Sequence, residues 1–73
     1  MEVLSCGPIH TILQNVAYAL PACRVLVRSN AALETSQDNS TWAAVTLTNN
    51  QAELAAAFVR TTGASAIVTV KKA

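Results

Sequence analysis

The run ASAIVTVK, residues 64–71, decides the fold class because it is dense in β-branched side chains, which favour extended backbone. Its side chains divide into two alternating sets that point to opposite faces of an extended chain, namely Ile67, Thr69 and Lys71 against Ala66, Val68 and Val70. The pattern predicts a strand with one largely apolar face.

A second run, CRVLVRS at residues 23–29, predicts another strand with the same period of two. Two valines alternate with two arginines, and Leu26 shares the arginine face; the alternating residues are Val25 and Val27 against Arg24 and Arg28. Two such strands with apolar faces indicate a sheet that packs on a core.

The segment QDNS, residues 37–40, gives the strongest turn signal in the chain. An aspartate here accepts hydrogen bonds from the local backbone, and Asn39 tolerates a left-handed conformation, so we interpret Asp38 as an Asx-turn residue. A strand is predicted over 41–47, with Trp42 on one face and Val45 on the other, and we expect Trp42 in the core. A second turn is predicted at TNNQ, residues 48–51.

Two segments leave helix and strand open. Residues 9–20 place apolar side chains on one helical face, yet Gln14-Asn15 also reads as a turn between two short strands. Residues 52–60 are rich in alanine, with Asn50 as a possible helix cap and Gly63 as a stop, although alternation also permits a strand. Propensity alone therefore predicts an α+β domain with short helices at 9–20 and 52–60.

Length and composition point to a small domain that needs support. The chain has 73 residues, 52% of them hydrophobic and 12% charged, with a net charge of +1. We expect an N-terminal arm over residues 1–8 and one domain over 9–73, because this length allows a single small core. The near-neutral charge gives no electrostatic footprint for nucleic acid, and no apolar run is long enough to span a membrane. Since such a core is marginal alone, we expect association with other chains.

The sequence contains few residues that are suited to catalysis or to metal binding. His10 is the single histidine, and we interpret it as structural rather than as a base; Ser36 and Ser40 lack the sequence context of a nucleophile. The start of the chain lacks the pattern of a secretory signal, so we expect Cys6 and Cys23 to be free thiols, small and buried, in a reducing cytosol. We expect no enzyme activity, no metal, no cofactor and no small-molecule substrate.

Three runs carry a resemblance to a known class of proteins. They are LETSQDNSTWAAV at 33–45, AFVRTTGASAIVTVK at 57–71 and YALPA at 18–22. Together, over about residues 16–72, they resemble short virion proteins of tailed bacteriophages, which include capsid decoration (cement) proteins and other head or tail fittings. The hairpin of this pattern often carries glycine after the aspartate, where this chain has Asn39, the next best residue for a positive φ.

The resemblance implies an all-β fold, a small antiparallel β-sandwich or barrel-like domain, in which residues 52–60 form a strand. It implies a structural virion protein that binds across capsid subunits, with the major capsid protein or copies of itself as partners, and without nucleic acid or membrane. Such a protein is made in the bacterial cytoplasm and lies on the capsid surface. A carbohydrate-binding module that uses Trp42 and Tyr18 is the alternative function.

Ten residues are candidates for structural or contact roles. We expect six of them in turns or the core, with Arg60 holding the turn at 61–63 through backbone carbonyls; these are Asp38, Asn39, Trp42, Phe58, Arg60 and Gly63. Four basic residues are candidate contacts to an acidic partner: Arg24, Arg28, Lys71 and Lys72.

Overall fold

The computed structural model describes residues 2–73, which form eight β-strands and no helix. The strands are β1 (Ile9–Ile12), β2 (Tyr18–Ala19), β3 (Val25–Ser29), β4 (Leu33–Ser36), β5 (Ala43–Ala44), β6 (Gln51–Leu54), β7 (Phe58–Thr61) and β8 (Ala66–Lys72). The first sheet has the order β1-β8-β3-β6 and the second has β2-β7-β4-β5, with every strand pair antiparallel. The prediction of a small antiparallel β-sandwich is confirmed.

The core lies between the two sheets, and the two runs that predicted strands supply its centre. β3 and β8 are neighbours in the first sheet, with Val27 opposite Val70. Both side chains are buried, as are Val25 and Val68, because alternation turns every second residue of each strand inward. Leu33 and Val59 of the second sheet close the core from the other side. The predicted alternation of both runs is confirmed, and the valine side of each strand is the buried one.

Residues 9–20 form two strands in different sheets, so the helix considered for this segment is wrong. Asn15 has a φ of 60° at the turn between β1 and β2, and its N–H donates to Thr61 O at 2.8 Å. This turn carries the chain from the first sheet to the second. Tertiary pairing therefore overrides the helical spacing of the apolar residues.

Residues 52–60 also contain no helix, and they form two strands rather than the single strand of the other interpretation. Asn49 and Asn50 both have positive φ, 53° and 63°, which makes a tight hairpin turn before β6. A residue in that conformation does not serve as a helix cap, since a cap needs extended backbone. The break at 55–57 then moves the chain from β6 in the first sheet to β7 in the second.

The strand predicted over 41–47 is shorter than expected. The ladder with β4 contains Ala43 and Ala44, and it is extended by the N–H of Val45, which donates to Leu33 O at 3.0 Å. The side chains of Val45 and Leu47 pack against the core. Alternation in 41–47 allows either face to turn inward, and the register of β5 on β4 selects the face of Val45.

The first residues of the chain lie on the body of the domain. Leu4 is fully buried in the core, its N–H donates to Ala19 O at 2.9 Å, and Ala19 N–H donates to Glu2 O at 2.9 Å. The described part of the predicted arm, residues 2–8, thus contributes a core side chain; Met1 lies outside the described residues.

We predict that Leu4→Ala lowers the free energy of unfolding by about 2–5 kcal/mol, the usual cost of emptying a buried leucine site. Val3→Ala is the matched control, since Val3 is largely exposed beside it. Urea unfolding followed by circular dichroism measures both variants. Equal, small effects would show that the N-terminal segment does not belong to the core.

Candidate functional site

The outward side of the first sheet brings together two exposed isoleucines and two basic side chains, Ile9, Ile67, Arg28 and Lys71. Residues directly opposite in the register share a face, so the residues that alternate with the buried ones along each strand point outward together. We call the outward surface of β1, β8 and β3 the docking face; its residues are Ile9, Thr11, Ile67, Thr69, Lys71, Leu26 and Arg28.

One half of the docking face is apolar. Ile9 is 72% exposed and Ile67 is 54% exposed, and they are diagonal neighbours because Ile9 lies opposite Thr69 and Ile67 opposite Thr11. Thr11 and Thr69 lie on the same face beside them. Two large aliphatic side chains exposed side by side on a sheet favour a contact that removes them from water.

The other half is basic. Arg28 lies opposite Thr69, and Lys71 lies opposite Leu26, so the two cations are diagonal neighbours on β3 and β8. A concavity of about 360 Å³ lies between them and Leu26. Within residues 2–73, neither cation has a carboxylate within salt-bridge distance, whereas Arg24 pairs with Glu53. The positive charge of this half is therefore available to a partner.

The structure separates the four basic residues that the sequence offered as contacts. Arg28 and Lys71 meet on the docking face, and Arg24 is engaged by Glu53 of β6. Lys72 is exposed at the end of β8, and alternation places it on the opposite side of the strand from Lys71. The sequence pattern did not reveal the isoleucine pair, because Ile9 and Ile67 are distant in sequence and only the β1–β8 register brings them together.

Trp42 and Phe58 lie outside the buried core, contrary to expectation. Both are half-buried, and the Arg60 guanidinium lies 4.3 Å from the centre of the Trp42 ring. The register places Trp42 on the outer side of the second sheet, with Val45 on the inner side. Phe58 lines an open groove of about 490 Å³ at one end of the sandwich.

We expected Arg60 to hold the turn at 61–63 through backbone carbonyls, but its side chain has a different partner. Its Nε donates to Glu34 Oε1 at 2.9 Å, because Glu34 lies directly opposite on β4. Gly63 lies in that turn without a positive φ, and an added Cβ would meet nothing within 4 Å, so this position does not require glycine.

The aromatic residues do not form a sugar-stacking platform. Tyr18 is buried, and its hydroxyl accepts the N–H of Leu13 at 2.9 Å. Arg60 lies over one face of the Trp42 ring, which leaves at most one ring face for stacking. Stacking needs exposed ring faces, so this pair does not supply the site that the carbohydrate alternative requires.

The thiols and the histidine occupy separate places. Cys6 and Cys23 are free, as expected, but both are exposed rather than buried, because they lie in loops before β1 and β3. The Nε2 atom of His10 lies 3.0 Å from Ser5 O, so the ring is hydrogen-bonded within the structure, in line with its structural interpretation.

The turn at 37–40 is built around one carboxylate. Asp38 Oδ1 accepts the N–H groups of Ser40 and Thr41, both at 2.9 Å, and the hydroxyl of Ser36 at 2.9 Å. These donors, Thr41 first, lower the pKa of Asp38 to about 2. Asn39 has a φ of 61°, so the Asx-turn interpretation and the role of Asn39 agree with the geometry.

Comparisons with protein-family models, curated proteins and solved structures find no match to this chain. Among residues 2–73, no three His, Cys, Asp or Glu side chains gather as metal ligands would. That same part of the chain has no helix with the length and apolarity to span a membrane.

We predict that Trp42→Ala lowers the free energy of unfolding by about 1–2 kcal/mol, since it removes a half-buried ring and a cation–π contact. Leu33→Ala is the buried control, with an expected loss of about 2–5 kcal/mol. Urea unfolding followed by circular dichroism compares the two. A loss for Trp42→Ala equal to or above that of Leu33→Ala would place the indole in the core.

We predict that Asp38→Ala destabilises the domain at pH 7 and that this difference from the wild type shrinks toward pH 2. The folded pKa of Asp38 lies below its unfolded value, so its stabilisation is complete above about pH 5 and is lost as the pH falls toward 2. Unfolding curves of both proteins across this range provide the measurement. A difference that does not change with pH would contradict the role of the carboxylate charge.

Proposed function

We propose that this chain is a non-catalytic structural protein that binds the surface of another protein through the docking face. The observation that carries the proposal is the joining of two exposed isoleucines, Ile9 and Ile67, with two unpaired cations, Arg28 and Lys71, on one sheet surface. The complementary partner presents an apolar patch bordered by carboxylates.

The size of the molecule supports a binding role. Its accessible surface is 4250 Å². A standard interface buries about 800 Å² per partner, roughly a fifth of this surface. Docking would remove from water the two most exposed isoleucine side chains of the described residues, Ile9 and Ile67.

The partner we propose is the shell of a tailed bacteriophage. The resemblance of residues 33–45 and 57–71 to virion proteins supports this choice, and a capsid decoration protein on the capsid surface fits it best. Such a protein contacts the major capsid protein across subunit boundaries and stabilises the shell. Repetition over many equivalent sites makes even a weak contact effective.

The test uses empty shells assembled from the major capsid protein of the same genome. We predict that wild-type protein co-sediments with these shells and that Arg28→Glu and Lys71→Glu each weaken binding by about tenfold, because each reverses a charge in the contact. Raising the salt concentration should weaken the wild type more than either variant.

Lys72→Glu is the matched control, because it makes the same charge change on the next residue and on the other side of β8. It should bind within about twofold of the wild type, since exposed charges outside a contact contribute little. Absence of wild-type binding, or equal losses for the Lys71 and Lys72 variants, would contradict the proposal.

A further inference from the structure

β1 is an edge strand with one unpaired side. The first sheet has the order β1-β8-β3-β6, so β1 contacts β8 on one side only. Within residues 2–73, no other strand pairs with its outer side. The backbone groups on that side are therefore a template for strand addition.

The hydrogen bonds of β8 show which backbone N–H and C=O groups of β1 point away from β8, toward the open edge of the sheet. Ala73 N–H donates to Arg24 O at 3.1 Å, and Ile67 N–H donates to Asn30 Oδ1 at 2.9 Å, so odd-numbered residues of β8 turn their peptide groups toward β3. Because these directions alternate, the even-numbered residues of β8 face β1.

The partners of those even-numbered residues on β1 are His10 and Ile12, opposite Val68 and Ala66. Their peptide groups are consequently used by β8. The peptide groups of Ile9 and Thr11 point to the open side of β1, where each offers one N–H and one C=O.

The open edge carries no protection against pairing. The sequence of β1 is IHTI, without a charged residue or a proline, and Ile9 is 72% exposed. Natural edge strands are usually blocked by lysine, proline or a bulge. Since β1 has no formal charge, two copies can approach along this edge without repulsion.

We propose that β1 pairs antiparallel with β1 of a second copy about a two-fold axis at His10. In this register Ile9 lies opposite Thr11 of the second copy, and Thr11 lies opposite its Ile9. Each such pair exchanges two N–H to C=O hydrogen bonds, so all the free groups of both edges are used. The two first sheets become one eight-stranded sheet.

The neighbouring hydrogen bonds select this register. A shift of two residues in either direction would require the N–H of Gly7 or of Leu13. Gly7 N–H already donates to Val70 O at 2.9 Å, and Leu13 N–H donates to the Tyr18 hydroxyl at 2.9 Å. The free groups of β1 are thus complementary to those of a second β1, which is the condition for a closed two-fold contact.

Self-pairing does not depend on the proposed docking to a shell. It runs along the edge of the sheet and leaves the docking face open, with the isoleucine patches of the two copies adjacent. A dimer would then present two docking faces side by side, and their linkage would strengthen binding to a repetitive surface.

Disulfide trapping tests the register, in a background with Cys6→Ser and Cys23→Ser. His10→Cys should form a covalent dimer under mild oxidation, since residues opposite in a non-hydrogen-bonded pair have Cα atoms about 4.5 Å apart, within disulfide range. Thr11→Cys should not, because the two copies of residue 11 are offset along the strands by about 7 Å. Equal cross-linking, or none for His10→Cys, would overturn the proposal.

Sedimentation velocity between about 10 µM and 1 mM, the range of weak association, tests the edge in the otherwise native chain. Thr11→Pro removes one outward N–H and leaves the bonds of His10 and Ile12 to β8, so it should remain monomeric. Thr11→Val keeps the N–H and should dimerise like the wild type. Dimerisation of Thr11→Pro like the wild type would overturn the proposal.

Two further readouts make the outcome decisive. If Thr11→Pro fails to fold by circular dichroism, the contrast between His10→Cys and Thr11→Cys decides alone. Arg28→Glu should weaken shell binding by about tenfold and keep self-association, because Arg28 lies on β3 and not on the β1 edge. The His10→Cys cross-link reports self-pairing in the absence of any shell, since His10 lies on the inward side of β1. The two proposals therefore fail separately.

Discussion

The pairing of β3 with β8 is the interaction on which the rest of the structure depends. It joins the two most strongly alternating runs of the sequence, and it aligns Val27 with Val70 in the core. On its other side β8 pairs with β1, and on its other side β3 pairs with β6. The first sheet is complete once these contacts form, and the second sheet packs on the valine side that they create. The same alternation that turns the valines inward turns Arg28 and Lys71 outward, so core and docking face have one cause.

Local sequence predicted both strands of this central pair, because each run combines β-branched residues with a clean period of two, but it did not predict that they pair. It also predicted the turns at 37–40 and 48–51, where asparagine takes positive φ. In the described chain all four non-glycine residues with positive φ are asparagine, a residue that tolerates this conformation. Residues 52–60 were harder to predict, because their alanines favour a helix. They form strands because the asparagine turn precedes β6 and because β6 pairs with β3 and β7 with β4.

The sequence also did not show which face of the segment 41–47 is buried. Residues 41–47 offer two alternating sets, and the larger side chain, Trp42, suggested the buried one. The register with β4 instead places Val45 inward and leaves Trp42 outside, against Arg60. The docking face was partly predicted, since Arg28 and Lys71 were candidates from sequence. The apolar half was missed, because Ile9 and Ile67 become neighbours only through long-range pairing.

The outer side of the first sheet is the surface that we propose meets another protein, and the isoleucines of the chain allow a direct test. There are three, Ile9, Ile12 and Ile67; Ile12 is fully buried, and the other two lie on the docking face. Cross-saturation from shells to the δ1 methyl groups of deuterated protein measures which of them contacts the partner. The account predicts attenuation of the Ile9 and Ile67 signals and an unchanged Ile12 signal. Attenuation confined to signals elsewhere, with both exposed isoleucines unaffected, would contradict it.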